Sequence, residues 1–327
     1  MKKNALAVAV LAALATTAQA QSSVEIFGII DLAVTRGNGG TAANAGGNGT
    51  SKNSTLKQST SSRFGFRGTE DLGGGLSASF ILDSRFRPDT GELTRPGVLF
   101  SGKSILQLTS KNLGAVWAGR DYTPAFFVGV KSDPFGWDGV GQVGIGQYAG
   151  YRSTSGTQVT DAIGYKSPRL SGFSTAITVA LGEGERSREN GVNIEYLSGP
   201  LYVGLGYGGQ KGGAPTTDGD RIINAGLTYD LGYVKPMFYA AQSKTAGGKD
   251  TNKMFMIGAL APVGASVFKV AYGQIDPDGA NNVQKKFSLG YEYYLSKRTN
   301  IYVDTGLARE ERKTSNNAYA LGMRHKF

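Results

Sequence analysis

Charge is the chemical resource this sequence offers most freely. Arg63 and Arg67 flank Gly65 on one parity of "SRFGFRGTE", opposite Phe64 and Phe66. Arg85 shares the parity of Ser77, Ser79 and Asp83 in "LSASFILDSRF", opposite Leu76, Ala78, Phe80 and Leu82. Lys103 lies near the start of the next alternating stretch, and Arg120 ends the one after it. The acids Glu25, Asp31, Asp83, Glu195, Glu292 and Asp304 also fall on polar parities. A face of mixed charge with a basic excess can steer or filter ions. Bond-making chemistry is poorly supplied. Hydrolytic sites generally set a histidine beside a nucleophile or an activated water. This chain has one histidine, His325, on the apolar parity of its last stretch, and no cysteine. No Asp/Glu pair stands out. "GLGYGG" at 204–209 fits a dinucleotide fingerprint only if it opens a helix, and here it lies within an alternating stretch. "DPDGAN" at 276–281 lacks the further ligands and distal glutamate of a calcium loop. Neither a metal nor a cofactor is expected.

The elements that position these charges read as strands. Alternation recurs from "VEIFGIIDLAVTR", where Val24, Ile26, Gly28, Ile30, Leu32 and Val34 share a face, to "KKFSLGYEYYLS", where Phe287, Leu289, Tyr291, Tyr293 and Leu295 do. Tyr and Phe supply 31 of the aromatics against two Trp, and there are 49 glycines, which is a strand-and-turn composition. Short turns at 72–75, 112–114, 199–200, 231–233, 262–264 and 296–299 alternate with long polar loops at 37–60, 87–100, 122–156, 210–219 and 275–282. The pattern predicts sixteen antiparallel strands with eight long loops and seven short turns. That is ~19 residues per strand with its connection, as a transmembrane barrel requires. A soluble sandwich alternates too, but its solvent face carries many Lys, Glu and Thr, whereas the polar parity here is rich in Gly, Ala and Ser. Tyr165, Phe173, Tyr229, Tyr233, Phe287 and Tyr302 near strand ends suit an interfacial girdle.

Both ends of the chain fit this plan. Lys2 and Lys3, the apolar run Ala5–Ala15 and Ala18-Gln19-Ala20 read as a secretory signal over residues 1–20, which leaves 21–327 as the barrel. The formal charge of +10 then falls by two lysines to +8, with its basic residues scattered and no nucleic-acid motif. The closing "AYALGMRHKF" puts Tyr319, Leu321, Met323, His325 and Phe327 on one parity, and Arg324 and Lys326 on the other. A last strand ending on Phe327 has to be held, and pairing with the first strand to close a barrel would hold it.

Four stretches carry a resemblance over the whole mature chain: "SSVEIFGIIDLAV", "SRFGFRGTEDLGGGLSASF", "WAGRDYTPAFF" leading to "DPFG", and "YALGMRHKF". With them the sequence resembles the trimeric Gram-negative general diffusion porins of beta-proteobacterial type. The resemblance implies an outer-membrane, sixteen-stranded barrel, usually a homotrimer, through which ions and small hydrophilic solutes diffuse. It implies that the third long loop, 122–156, folds into the lumen and narrows it. The apolar content of that loop (Phe126, Phe127, Phe135 and Trp137) fits such a place better than free solvent. The terminal Phe327 resembles the signal read by the outer-membrane assembly machinery. Outer-membrane lipid and lipopolysaccharide follow as surroundings, and nucleic acid does not. Basic wall residues face acidic loop residues across the constriction of such porins. Here the wall candidates are Arg63, Arg67, Arg85, Arg120 and Lys103, and the loop candidates Asp133 and Asp138. The basic excess predicts an anion preference. A substrate-specific anion channel, or a plugged barrel serving as an adhesin or structural surface protein, are the alternatives.

Overall fold

The computed structural model describes residues 23–43, 51–143, 151, 157–184, 187–212, 217–277 and 283–327. The expected signal segment lies outside them, as do most of 276–281 and much of the second half of the loop 122–156. The strands are β1 (Ser23–Gly37), β2 (Thr55–Lys57), β3 (Arg63–Gly73), β4 (Leu76–Arg85), β5 (Ser104–Ser110) and β6 (Gly114–Tyr122). A short helix α1 (Pro124–Val130) follows, then β7 (Gln158–Lys166), β8 (Phe173–Ala180), β9 (Arg188–Ser198), β10 (Leu201–Lys211) and β11 (Arg221–Tyr229). The series ends with β12 (Lys235–Thr245), β13 (Asp250–Val263), β14 (Ser266–Asp276), β15 (Gln284–Tyr294), β16 (Thr299–Glu310) and β17 (Asn316–Lys326).

Every strand from β3 to β16 pairs antiparallel with its successor, and β1 pairs with both β3 and β17, so the sheet closes. Sixteen strands form the wall. The three-residue β2 adds to the upper half of β1, opposite Ala33–Thr35, within a stretch expected to be loop. Closure is sealed at the last residue. The Phe327 N–H donates to the Gly28 carbonyl at 3.1 Å, and the Gly28 N–H to the Phe327 carbonyl at 3.0 Å. The Phe327 ring covers Gly28, where any Cβ would collide with it. A closed sheet leaves no unpaired edge, which hydrocarbon would not tolerate.

The two faces of the wall follow the sequence alternation. Val24 (68 % exposed) and Leu321 (60 %) belong to an outer parity of exposed apolar side chains that continues around the barrel through Leu106, Ile163, Leu205, Ile223 and Ile257. Phe173, Tyr229 and Tyr233 are exposed near the short-turn end, as an interfacial girdle requires. Tyr302 is a correction: it points inward, is buried, and donates its hydroxyl to Asp31 at 2.6 Å. His325 sits on the exposed parity beside the Thr299 hydroxyl at 2.8 Å. "GLGYGG" lies inside β10, and two of its glycines face α1. A Cβ at Gly206 would stand 2.9 Å from the Ala125 Cα, and one at Gly204 would stand 3.2 Å from Val128.

The largest apolar cluster among the described residues is inside the barrel, on one side. Phe135, Trp137 and Val143 of the third loop pack with Ile222, Tyr239, Met254, Met256 and Ile275 from the inner faces of β11 to β14.

Candidate functional site: the pore constriction

The loop after β6 starts as a helix for local reasons. Thr123 is the N-cap, its hydroxyl accepting the Phe126 N–H at 3.2 Å, and Pro124 opens the first turn with its φ already helical. The side chains of Asn193 and Asn224 donate to the Pro124 and Ala125 carbonyls at 3.1 and 2.9 Å and fasten α1 to β9 and β11. Beyond α1 the loop follows the inner wall. Pro134 lies against Gly258 of β13, Phe135 against Gly290 of β15, and Val140 against Gly306 of β16. The Gly139 N–H donates to the Ser59 carbonyl at 3.1 Å, tying the loop to the first long loop. Rings run through this structure in sequence. Tyr122 stacks on Phe126 at 4.1 Å, Phe126 meets Trp137 edge-on at 5.1 Å, and Trp137 meets Tyr239 at 6.0 Å. The loop thus lines the lumen from β9 to β16. Val140 also packs with Ala33 of β1 and Ala318 and Ala320 of β17; among the described residues, the loop leaves the lumen side of β3, β4 and β5 and the arginine end of β17 uncovered.

That uncovered sector carries the charges. Arg63 and Arg85 are directly opposite each other on β3 and β4. Asp83 lies between them, its Oδ2 3.9 Å from Arg63 and 3.7 Å from Arg85. Arg85 also donates to the Tyr122 hydroxyl. From β17, Arg324 reaches Asp31 at 2.9 Å and Glu292 at 3.7 Å, and lies over the Tyr302 ring. Asp31 is saturated: it also accepts the N–H groups of Ser59 and Thr60 at 2.9 and 3.2 Å. Lys103 completes the arc, bonded to Asp121 at 2.8 Å, with Lys166 on the other oxygen of the same carboxylate at 3.1 Å.

The seven charged candidates separate clearly. Arg63, Arg85, Lys103 and Asp138 come together. The Asp138 carboxyl is held by the Thr60 hydroxyl and lies in the field of Arg63, Arg324 and Arg85. Burial raises its pKa above the ordinary carboxylate value, and these three cations oppose the rise. Arg67 is inward as expected but sits nearer the short-turn end, in a two-bond pair with Glu25 at 2.8 Å, away from the loop. Arg120 is a correction. It pairs with Ser104 on the face of Leu106 and Ala118, which is the outer one, and the register shifts between Gly119 and Asp121. At 7 % exposure it is taken up by the Ser101 carbonyl at 3.0 Å and by Gln158 at 2.7 Å. The inward group at that level is its neighbour Asp121. Asp133 is a turn-former: at 4 % exposure its oxygens accept the N–H groups of Phe135 at 2.9 Å and Trp137 at 3.3 Å. Burial pushes its pKa up to about 6 against those two bonds.

Sequence reasoning overlooked Lys131, Lys166, Lys269 and Asp121, and Arg324 was not among its wall candidates. Parity already put Lys269 and Arg324 inside; what was not visible is which inward charges the loop leaves uncovered.

Comparison with known proteins agrees with this geometry. A model of the Gram-negative porin family matches residues 7–313. Outer membrane porin protein 32 of Delftia acidovorans is 36 % identical over 324 residues, covering 92 % of this chain and 88 % of its own. An outer membrane porin protein of Bordetella pertussis is 30 % identical over the full length of both chains. Among solved structures, an anion-selective porin from Comamonas acidovorans superposes with a TM-score of 0.81 at 28 % identity, over 94 % of this chain and 100 % of that one.

Proposed function

We propose that this chain, which belongs to the Gram-negative porin family, is a passive outer-membrane channel for ions and small hydrophilic solutes that prefers anions. The observation that carries the preference is the pairing of Arg63 directly opposite Arg85. Like charges opposite one another on adjacent strands destabilise a sheet. Asp83 bridges this pair only loosely, so the arrangement is stabilised further by an anion between loop and wall. Asp138 is the one acid of the described loop edge in the field of these arginines, and Asp133 turns into its own backbone. The wall charges act on solutes without bond making, and the channel runs without a cofactor and without catalytic turnover. The anion selectivity in the name of the Comamonas porin supports the same sign.

The wider reading extends the family likeness. Residues 1–20 direct export and are removed, Phe327 is the element that the assembly machinery reads, and the barrel works as a homotrimer in lipid and lipopolysaccharide. Planar-bilayer recording of the purified mature protein tests the proposal. Stepwise conductance, in threes for a trimer, with a zero-current potential on the anion side of a salt gradient is expected. A cation-side potential removes the anion preference, and no conductance from folded protein removes the channel.

A further inference from the structure

Besides Asp138, the loop edge that faces the arginine wall presents aromatic rings. Phe127 is half-buried, with the Lys103 ammonium 5.6 Å and the Lys131 ammonium 6.0 Å from its ring centroid. Tyr122, also half-buried, lies 6.0 Å from Phe127, with the Arg85 guanidinium 5.5 Å and the Lys103 ammonium 6.0 Å from its own ring. These cations keep access to the lumen: the side chains of Lys131 and Lys103 are 43 % and 23 % exposed. Arg63 and Arg85 are less open, with side chains 22 % and 16 % exposed, and the Nε of each is buried without a protein acceptor. The platform is rigid, because Tyr122 stacks on Phe126 and Phe126 is braced by Trp137.

From this cluster we infer that the constriction holds a binding site for aromatic carboxylates, a reading that rests on the anion preference proposed above. Each part of the solute has a counterpart. The carboxylate meets the arginines at the wall, where charge-assisted bonds to guanidinium are the strong ones. The ring lies along Phe127 and Tyr122, offset or edge-on as aromatic pairs prefer. Its π face can also receive Lys103 or Lys131, an attraction that a saturated ring of the same size does not offer. A small anion such as chloride gains only the charge, and a neutral aromatic only the ring contact. An aromatic carboxylate gains both, and so resides longer at the narrowest level and blocks ion current.

The test is current block in planar bilayers carrying potassium chloride, with benzoate and cyclohexanecarboxylate as probes of equal charge and similar size. The zero-current potential is read on the same membranes. We expect benzoate to half-block at a concentration about tenfold lower than cyclohexanecarboxylate. In Phe127→Leu the two half-blocking concentrations should converge, and because the readout is their ratio on one channel, a change of bore cancels. The wild-type comparison stands alone if that variant does not fold. Equal block by both probes in the wild type overturns the site, as does a ratio unchanged in Phe127→Leu. If the potential is anion-sided while the probes are equal, only this inference fails. A cation-sided potential overturns the anion reading beneath it.

Discussion

The inner wall of this barrel has two halves that obey different rules. From β11 to β14 the inward positions are largely apolar: Ile222, Tyr239, Met254, Met256 and Ile275. From β17 through β1, β3 and β4 they include a run of charges, Arg324, Asp31, Arg63, Asp83 and Arg85, beside the small residues Ala33, Ala318 and Ala320. A water-filled barrel normally keeps a polar interior. The apolar half departs from that because the third loop covers it, and Phe135, Trp137 and Val143 remove it from water. The charged half is what the loop leaves to the solute. One element therefore does two things: it builds a hydrophobic core on one side and, by occupying that side, confines solutes to the other.

Neutralising the uncovered half should have the largest effect on selectivity. A unit charge ~4 Å from a passing ion is worth ~1 kcal/mol in bulk water and more in a narrow channel of lower dielectric. The double variant R63Q/R85Q is therefore expected to lower the chloride-to-potassium permeability ratio by at least about tenfold, read from the zero-current potential. Damage to the covered half should alter the loop first. Trp137→Ala removes the ring that meets Phe126 and Tyr239, and burial of this kind is worth ~3–5 kcal/mol. Larger, noisier single-channel currents are expected, with the sign of selectivity retained.

Acid should sharpen the contrast. Burial raises the Asp138 pKa, so as pH falls this carboxylate loses its charge earlier than an ordinary one. Its negative charge then no longer offsets Arg63, Arg85 and Arg324. Anion preference is expected to rise severalfold between about pH 8 and about pH 4, and Asp138→Asn to show most of that rise already at the alkaline end. Asp133, at about 6, protonates in the same window, but its oxygens face the N–H groups of Phe135 and Trp137, so it contributes less to the field in the pore. The smallest effect belongs to Arg120. Because it is taken up by Ser101 and Gln158 away from the lumen, Arg120→Gln should change the permeability ratio by less than about twofold, while lowering resistance to heat unfolding.

The sequence made the wall legible and the loop's footprint illegible. Alternation with apolar residues on one parity identified the strands. The closing run predicted the seam that Phe327 makes with Gly28. In β13, however, "NKMFMIGALA" is apolar on both parities, and nothing in that run says which face a loop far away in sequence will cover. α1 announced itself only by Thr123 and Pro124, too short a signal against a loop background. Arg120 was misplaced because the large apolar Trp117 lies on the inner face of β6, and plain alternation from it puts Asp121, not Arg120, on the lumen side. Tyr302 was misplaced because a tyrosine near a strand end serves a membrane interface and a buried hydrogen bond equally well, and here Asp31 takes its hydroxyl.

Two substitutions that remove the same charge from different halves provide the most direct test. Arg85 stands in the uncovered wall, and Lys286 of β15, 4 % exposed, lies beneath the loop beside Gly306. Zero-current potentials of Arg85→Gln and Lys286→Gln would be measured in one potassium chloride gradient at neutral pH, beside the parent channel. An anion-sided parent, a clear displacement toward potassium in Arg85→Gln and little displacement in Lys286→Gln are expected. Equal displacements, or a larger one from Lys286→Gln, would contradict the claim that the uncovered half sets the preference.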